Sequence, residues 1–503
     1  AGAPSPSSST PAPAQAPAQG PSDPQPQDSG AAAATPADAP AADAQGADKA
    51  ADPEASAGPS ADDEEAAAEP ERPMLRPIDA YPMEHGGQKL LALYDPSGIA
   101  TATVTLPPLG AAVIDLCDGT RTREEICAEF QERYKRPLPR ESLDALLQRL
   151  DEALLLDSTA FRLHCAKIFA AFEQAPERPA HWAGQRYPAQ PDALEALLRK
   201  GFGPPNGPGL PTEIATGEAA PAAPRALIVP TLDFDRAGPA YAWALRPLLE
   251  ARSLPSLIVL LGCDHGAADP TLTFSRKRYV TPLGSLEADE GLLDGLLSDA
   301  AELSSELPEL LVREGFRHRA EHSLEFLAVW LSFVLSERRR LLGRDEPAPK
   351  VVPVLVGSLH ELASAPPHRE AEAQGTRLID DVSTLLQRRV GERQAAGEST
   401  LWICAADLAH VGPRFGDPEP LDDEDRDSLE RRDRQTLKPV LAGDAPGFLA
   451  EIRRERDRRR VIGLGPIYTL LRMSLATGGQ LRCYAQSGVD RGSYISTAAV
   501  VFP

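Results

Sequence analysis

Six short apolar runs in the C-terminal two thirds of the chain leave few folds open to it. They lie at residues 225–229, 256–261, 351–356, 400–404, 481–486 and 493–502. Stretches with helical spacing alternate with them, among others at residues 240–252, 322–336 and 425–437, and residues 338–350 read as a polar surface insertion. Buried strands that alternate with helices require helices on both faces of the sheet. The pattern therefore predicts an α/β fold with a central mixed sheet flanked by helices.

The first 71 residues differ sharply in composition from the rest. They contain no Leu, Ile, Val or aromatic residue, and they carry thirteen acidic residues against the single basic residue Lys49. A segment without large apolar side chains cannot offset the entropy lost when its backbone is ordered. We therefore predict that residues 1–72 form a disordered, acidic tail rich in Ala and Pro.

The overall charge excludes some classes of partner. The 503 residues include 52 basic and 74 acidic side chains, so the net charge is −22. A protein that binds nucleic acid or an anionic membrane needs a basic surface, and no apolar run approaches the roughly 20 residues of a membrane helix. Six cysteines without a CxxC pair fit a reducing compartment better than a disulfide scaffold. We expect a cytoplasmic protein without nucleic-acid or membrane partners.

Residues 73–157 have the pattern of a small folded module. Two strand-like runs, at 90–94 and 99–104, flank a turn signal at residues 95–98. A short apolar helix is predicted next, over residues 109–116. A hairpin followed by short helices is typical of a winged-helix-like domain.

Two further helices complete this predicted module. Thr122 and Glu125 have the spacing of a capping box at the start of the second helix, whose inward face should comprise Ile126, Phe130 and Tyr134. The third helix has one apolar stripe at helical spacing. The stripe consists of Leu143, Leu146, Leu147, Leu150 and Leu154.

The run from Leu109 through Cys117-Asp118-Gly119 to Phe130 resembles the PqqD family, whose usual form is "ILELCDGERTVAEI". The resemblance implies that the module binds a leader or carrier peptide as an added strand at the edge of its sheet. The alternative is a generic helical domain that only packs against its neighbour. Residues 158–177 then form a connecting helix, and residues 178–503 form the α/β domain.

Polar side chains follow two of the predicted strands and open one predicted helix. Ligand sites of α/β sheets lie at the carboxyl ends of the strands, where loops and helix termini converge. We therefore expect these side chains to line a pocket. The candidate residues are His265, His322, Glu325, Asp407 and His410.

Several segments of residues 178–503 carry motifs in the same order as one known family. They are 181–189 (compare "AGSWYPA"), 262–265 ("GPSH"), 321–325 ("EHSIE"), 354–357 ("PVLVG") and 406–415 ("SDxxHxGxRF", with Ala406 in place of the Ser). This part of the chain resembles the Memo family. The resemblance implies the α/β fold shared with class III extradiol dioxygenases.

The departures from the Memo pattern affect the metal ligands. Thr231 stands in place of a ligand His, Ile462 stands in place of the ligand Cys, and His265 is retained. One imidazole cannot hold a first-row metal firmly against water. We therefore predict no metal and no cofactor. A rebuilt metal site would need four side chains, namely Asp233, Cys263, His265 and His410.

Together the resemblances imply an adaptor or accessory protein of a peptide or protein modification system. The Memo-like domain would then be a pseudoenzyme, and a bacterial radical-SAM enzyme system is the implied partner. An alternative is an active hydrolase or redox enzyme that uses His265, His322, Asp407 and His410, with one imidazole as general base. A further alternative is a structural subunit of a larger assembly. The sequence leaves the oligomeric state open.

Overall fold

The computed structural model describes residues 71–503, except for residues 96–97, 101, 216, 218–219 and 366–368. The predicted tail lies outside the described residues apart from its last two positions. No helix in the described part of the chain has the length and apolar character of a membrane span. The six cysteines are all free.

A three-stranded antiparallel sheet and three helices share one apolar core near the start of the described chain. The strands are β1 (Asp79–His85), β2 (Gln88–Tyr94) and β3 (Val104–Leu106), in this order across the sheet. The helices are α1 (Pro108–Ile114), α2 (Arg123–Tyr134) and α3 (Arg140–Glu152). The order of elements agrees with a hairpin followed by short helices.

The hairpin itself differs from the prediction. β2 pairs with β1 across Gly86 and Gly87, whose φ angles are 59° and 75°. A two-residue hairpin turn with positive φ at both positions favours two glycines, so this sequence signal was present and was overlooked. The second predicted strand, at 99–104, is wrong because the strand begins at Val104. Residues 96–97 of the predicted turn lie outside the described residues.

The predicted start of α2 is confirmed, and its predicted inward face is wrong at one residue. The Thr122 hydroxyl accepts a hydrogen bond from the Glu125 amide, and the Glu125 carboxylate accepts one from the Thr122 amide. Ile126 and Phe130 are buried, whereas Tyr134 is 39% exposed. Tyr134 is the last residue of the helix, where the apolar face has already left the core.

The leucine stripe of α3 is only partly used by the core. Leu143, Leu147 and Leu150 are buried, but Leu146 is half-buried at the margin of the core. Leu154 lies beyond the end of the helix in a left-handed backbone conformation, with φ of 58°. Leu146 therefore keeps part of its surface open.

Helix α4 (Thr159–Gln174) leads into a larger α/β part. Its main sheet has eight strands, which are β5 (Ala226–Val229), β6 (Leu257–Cys263), β7 (Leu272–Phe274), β10 (Lys350–Val356), β11 (Thr400–Ala405), β12 (His410–Val411), β13 (Gln480–Asp490) and β14 (Ser493–Phe502). Their order across the sheet is β12-β14-β5-β11-β6-β10-β7, with β13 paired to β14. A second sheet contains β4 (Glu177–Arg178), β8 (Arg278–Thr281) and β9 (Gly284–Leu286).

The main sheet is mixed and covered on both faces. β5, β11, β6 and β10 run parallel, while β7, β12, β13 and β14 pair antiparallel. One face packs on α5 (Pro191–Phe202), α6 (Phe234–Glu250) and α9 (His322–Leu342). The other packs on α7 (Glu290–Leu303), α8 (Leu307–Leu310), α10 (His360–Ser364), α11 (Arg369–Ala395), α12 (Asp423–Ala442), α13 (Ala445–Arg454) and α14 (Leu464–Ser474). The predicted α/β fold is confirmed.

Candidate functional site

The parallel strands bring distant polar residues to one edge of the main sheet. β6 ends at Cys263 and is followed directly by Asp264 and His265. β11 is the neighbour of β6 in the sheet and is followed by Asp407 and His410. Since parallel strands end at the same edge, residues more than 140 positions apart meet there.

His265 and His322 are held by one carboxylate that the sequence analysis did not include among its candidates. Glu321 accepts from the His265 amide at 3.1 Å and lies 3.0 Å from its Nδ1. The Nδ1 atom of His322 is 3.3 Å from the same carboxylate. The Glu321 side chain is 7% exposed, whereas that of His265 is 34% exposed. Glu321 is the N-cap of α9, so its position before the helix was the available signal.

The two imidazoles have opposite pKa shifts. Burial disfavours the charged form of His265, but the carboxylate of Glu321 outweighs it and raises the pKa of His265. Burial lowers the pKa of His322 to about 4 despite the same carboxylate. Although burial opposes it, the imidazole of His265 lowers the pKa of Glu321 well below the usual range. His265 is therefore the more basic ring, with Glu321 orienting it.

Asp407 is engaged by Thr231, at the position where the Memo pattern has a ligand His. The Thr231 amide donates to Oδ1 of Asp407 at 2.8 Å, and its hydroxyl donates to Oδ2 at 2.7 Å. Both residues are buried. His410 lies nearby with its ring against Phe415, and burial lowers its pKa although Asp407 opposes this. The Thr231 side chain thus forms an internal hydrogen bond instead of facing a ligand.

The carboxylate of Glu325 forms no hydrogen bond or ion pair with His265, His322 or Asp407 but faces the segment at residues 178–187. Its buried carboxylate pairs with Arg178, accepts from the Trp182 amide at 2.8 Å, and accepts from the Tyr187 hydroxyl. These contacts tie the segment that contains Arg178, Trp182 and Tyr187 to the first turns of α9. The geometry assigns Glu325 to positioning the helix that carries His322.

A cavity of about 460 Å³ opens beside His265. Ile462 lines it and offers an apolar side chain where the Memo pattern has a Cys. Cys263 also lines it, but burial raises the pKa of its thiol well above the usual value. Asp233 caps α6 and pairs with Arg236. Among the described residues, neither Cys263 nor Asp233 belongs to the group of possible metal ligands that contains His265.

The residues present do not fit the metal site that the resemblance implies. Within the described chain, one group of three possible ligands lies together, with the ligand atoms of His265, Glu321 and His322 within 4.8 Å of one another. The two rings stack at 4.6 Å with planes 24° apart. Ring lone pairs lie in the ring planes, and nearly parallel planes do not converge on one ion. This arrangement suits a hydrogen-bonded cluster better than a chelate.

The fold and the site define an α/β protein whose polar cluster lies at the carboxyl edge of a mixed sheet. Residues 178–501 match the Memo-like protein family, so the chain belongs to that family. Residues 91–156 match the family described as coenzyme PQQ synthesis protein D (PqqD). Both resemblances read from the sequence motifs are confirmed.

Curated relatives agree with this assignment. A MEMO1 family protein of Methanopyrus kandleri is 27% identical over 333 residues, which cover 65% of this chain and 99% of the relative. A MEMO1 family protein of Thermus thermophilus is 29% identical over 333 residues, covering 66% of this chain and 83% of the relative. One from Aquifex aeolicus is 25% identical over 365 residues, covering 71% and 80%.

Proposed function

We propose that the protein is an accessory protein of a modification system and binds a peptide or protein partner through residues 73–157. The similarity of residues 91–156 to PqqD supports a partner-binding role. In this proposal, residues 158–177 connect the peptide-binding module to a Memo-like domain over residues 178–503.

The free edge of the small sheet is the observation that carries the proposal. β3 is the outermost strand, and within the described chain no strand pairs with its outer side. Its backbone groups can therefore pair with an added strand. The opposite edge, β1, has Pro82 at its centre, which lacks an amide donor and makes strand addition there less favourable. We assign the peptide to the β3 edge.

We further propose that helix α3 supplies a side chain that anchors such a peptide. Leu143, Leu147 and Leu150 are buried in the core, and Leu154 lies beyond the end of the helix, which leaves Leu146 as the half-buried member of the stripe within α3. Backbone pairing provides affinity that tolerates sequence change, while an apolar contact of this kind provides selectivity. Leu146 is the position where a charge should interfere with binding but not with folding.

Peptides selected on the full chain from a random twelve-residue library would test this. The substitution Leu146→Glu should weaken binding of the selected peptides at least tenfold, because it places a charge against an apolar contact. The matched control Ala145→Glu adds the same charge on the same helix at an exposed position and should change binding less than twofold. Hydrogen exchange should show that bound peptide protects the amides of Val104–Leu106.

Two results would contradict the proposal. One is equal peptide binding by the two variants. The other is binding that leaves hydrogen exchange in β3 unchanged.

We also propose the finer context that the chain serves a bacterial radical-SAM enzyme system in the cytoplasm, with the Memo-like domain as a pseudoenzyme. The positions of Thr231 and Ile462 support the loss of the family's metal chemistry, because one is hydrogen-bonded internally and the other is apolar. Co-purification of the full chain with a radical-SAM enzyme from its own operon would test this context. Failure to co-purify under anaerobic conditions would oppose it.

A second candidate function is acid–base catalysis at His265. Glu321 fixes Nδ1 of this ring at 3.0 Å, and His265 lines the cavity, so the ring is oriented as a general base requires. Turnover of a substrate by this route should fall at least a hundredfold in His265→Gln and about tenfold in Glu321→Gln. Turnover that survives His265→Gln would exclude it.

A further inference from the structure

A second polar cluster contributes two side chains, those of His360 and Asp457, to the wall of the same cavity. Helix α10 carries His360 and Ser364 four positions apart, which places both side chains on one face. Nδ1 of His360 is 2.7 Å from Oδ2 of Asp457, and Nε2 of His360 is 3.2 Å from the Ser364 hydroxyl. The three side chains thus form a continuous chain of hydrogen bonds.

The hydrogen bonds determine the tautomer of His360. Asp457 is 2% exposed and accepts at Oδ2, so Nδ1 of the ring carries the proton. Nε2 then has a free lone pair, to which the Ser364 hydroxyl donates. The Arg456 carbonyl competes for this hydroxyl at the longer distance of 3.4 Å. This is the arrangement in which an imidazole removes a proton from a serine that attacks an acyl group.

The loop that supplies Asp457 is held in an unusual backbone conformation. Arg456, Asp457 and Arg460 have φ angles of 55°, 48° and 52°, although none is glycine. Oδ1 of Asp457 accepts from the Val461 amide at 2.8 Å, which holds the carboxylate next to Nδ1 of the ring. Clusters of left-handed residues cost free energy and occur preferentially where side chains are positioned for function.

The cavity provides space for a substrate next to this cluster. His360 and Asp457 both line it, and Leu359, Val461 and Leu464 contribute apolar wall. A volume of about 460 Å³ accommodates a small apolar acyl group. The carboxylates of Asp264 and Asp457 also line the cavity, and the lining guanidinium of Arg460 is already paired with Asp417. The cavity therefore suits an uncharged ester better than a phosphate or a polyanion.

We propose that Ser364, His360 and Asp457 form a nucleophilic triad that cleaves carboxylic esters of small apolar acids. Oγ of Ser364 bonds to the acyl carbon as its proton moves to Nε2 of His360. The alcohol leaves with that proton when the ester C–O bond breaks. Water then attacks the acyl-enzyme, gives a proton to His360, and releases the acid as the proton returns to Oγ. The proposal is independent of peptide binding and uses none of the residues at the Memo ligand positions.

A fluorophosphonate probe on the full chain tests the triad directly. Oγ should form a bond to phosphorus as fluoride leaves and His360 takes the proton, so mass spectrometry should find the adduct on Ser364. The adduct should be absent in Ser364→Ala and should form at least a hundredfold more slowly in His360→Gln. Ser304→Ala, at an exposed serine away from the cavity, should label at the wild-type rate.

The variant Asp457→Asn should label at least tenfold more slowly, because the ring loses the carboxylate that sets its tautomer. If this buried substitution prevents folding, the variants at the more accessible Ser364 and His360 decide the question. The proposal is overturned if the wild-type chain is not labelled, if the adduct lies on another residue, or if His360→Gln labels at the wild-type rate.

Discussion

The contact between Thr231 and Asp407 explains how the chain tolerates the loss of a family ligand. The Thr231 amide and hydroxyl both donate to the buried Asp407 carboxylate. A buried carboxylate without donors would destabilise the fold, so this pair stabilises the edge of the sheet without a metal ion. At the other ligand position, Ile462 adds apolar wall to the cavity. The residues at both ligand positions are thus consistent with a sheet edge that is stable without a metal ion.

The metal content of the purified protein should depend on the side chains at positions 231 and 462. We expect the wild-type chain to purify without stoichiometric iron, copper or zinc, because two of the family's three ligand positions hold Thr231 and Ile462. The double variant Thr231→His/Ile462→Cys restores an N, N, S set with His265 and should gain up to one metal ion per chain. Elemental analysis measures both. About one metal ion per wild-type chain, lost in His265→Ala, would contradict the prediction.

His318 should make stability depend on pH. It is fully buried between the Tyr279 hydroxyl and the Thr273 carbonyl, and burial lowers its pKa from 6.5 to about 4. The unfolded chain binds a proton that the folded ring excludes. The contribution of the neutral His318 ring to the free energy of unfolding is therefore complete above pH 6.5 and declines as the pH falls towards 4. The free energy of unfolding should fall over this pH range by an amount of the order of 2–3 kcal/mol.

His318→Gln keeps one donor and one acceptor but removes the titration. Urea unfolding at pH 7 and pH 4.5 should therefore show a smaller pH-dependent loss in the variant than in the wild type. Equal losses in the two proteins would show that His318 does not cause the effect.

At the scale of elements, Arg338 shows why the predicted polar insertion at residues 338–350 was wrong at its start, since α9 continues to Leu342 and the loop occupies residues 343–349. Arg338 belongs to α9 and is fully buried. Its guanidinium donates at 2.7–3.1 Å to the carbonyls of Leu248, Leu249 and Ala251, at the end of α6, and pairs with Glu346. The last carbonyls of a helix lack partners within the helix, so one element caps another here.

Substitution of Arg338 should lower the free energy of unfolding much more than substitution of Arg339. Arg338→Met should lower the free energy of unfolding by about 3–5 kcal/mol, because it leaves buried carbonyls and Glu346 without a partner. Arg339 is 63% exposed and pairs with the exposed Asp345, so Arg339→Met should cost less than about 1 kcal/mol. Urea unfolding measures both. Similar costs for the two variants would refute the capping role.

At the scale of the whole molecule, the described residues belong to one compact unit. Arg319 donates to the Gly98 carbonyl at 3.4 Å, which joins the loop after β2 to the larger domain. The guanidinium of Arg76 lies 3.6 Å from the ring centre of Phe161 on α4. Through the contact of Arg319 with Gly98, the PqqD-like and Memo-like regions touch directly.

The acidic tail should be dispensable for this unit. Deletion of residues 1–71 should change the melting temperature by no more than about one or two degrees, because the segment has no large apolar side chains to bury. Deletion of residues 1–78 also removes the buried ion pair of Arg76 with Asp95 and the pairing of Leu75 with Leu156. This longer deletion should lower the melting temperature by several degrees. A large drop on the shorter deletion would show that the tail docks.

The sequence by itself determined the α/β class, the family and the six main strands, because apolar periodicity and motif order are local properties of the chain. Strands of two to four residues, such as β7 and β12, contain too few positions to show a period. Only the tertiary structure paired His265 with Glu321, 56 positions away, and His360 with Asp457, 97 positions away. Thr231 and Asp407 are separated by 176 positions. Such pairs depend on which strands become neighbours in the sheet, and long-range packing rather than local sequence sets that order.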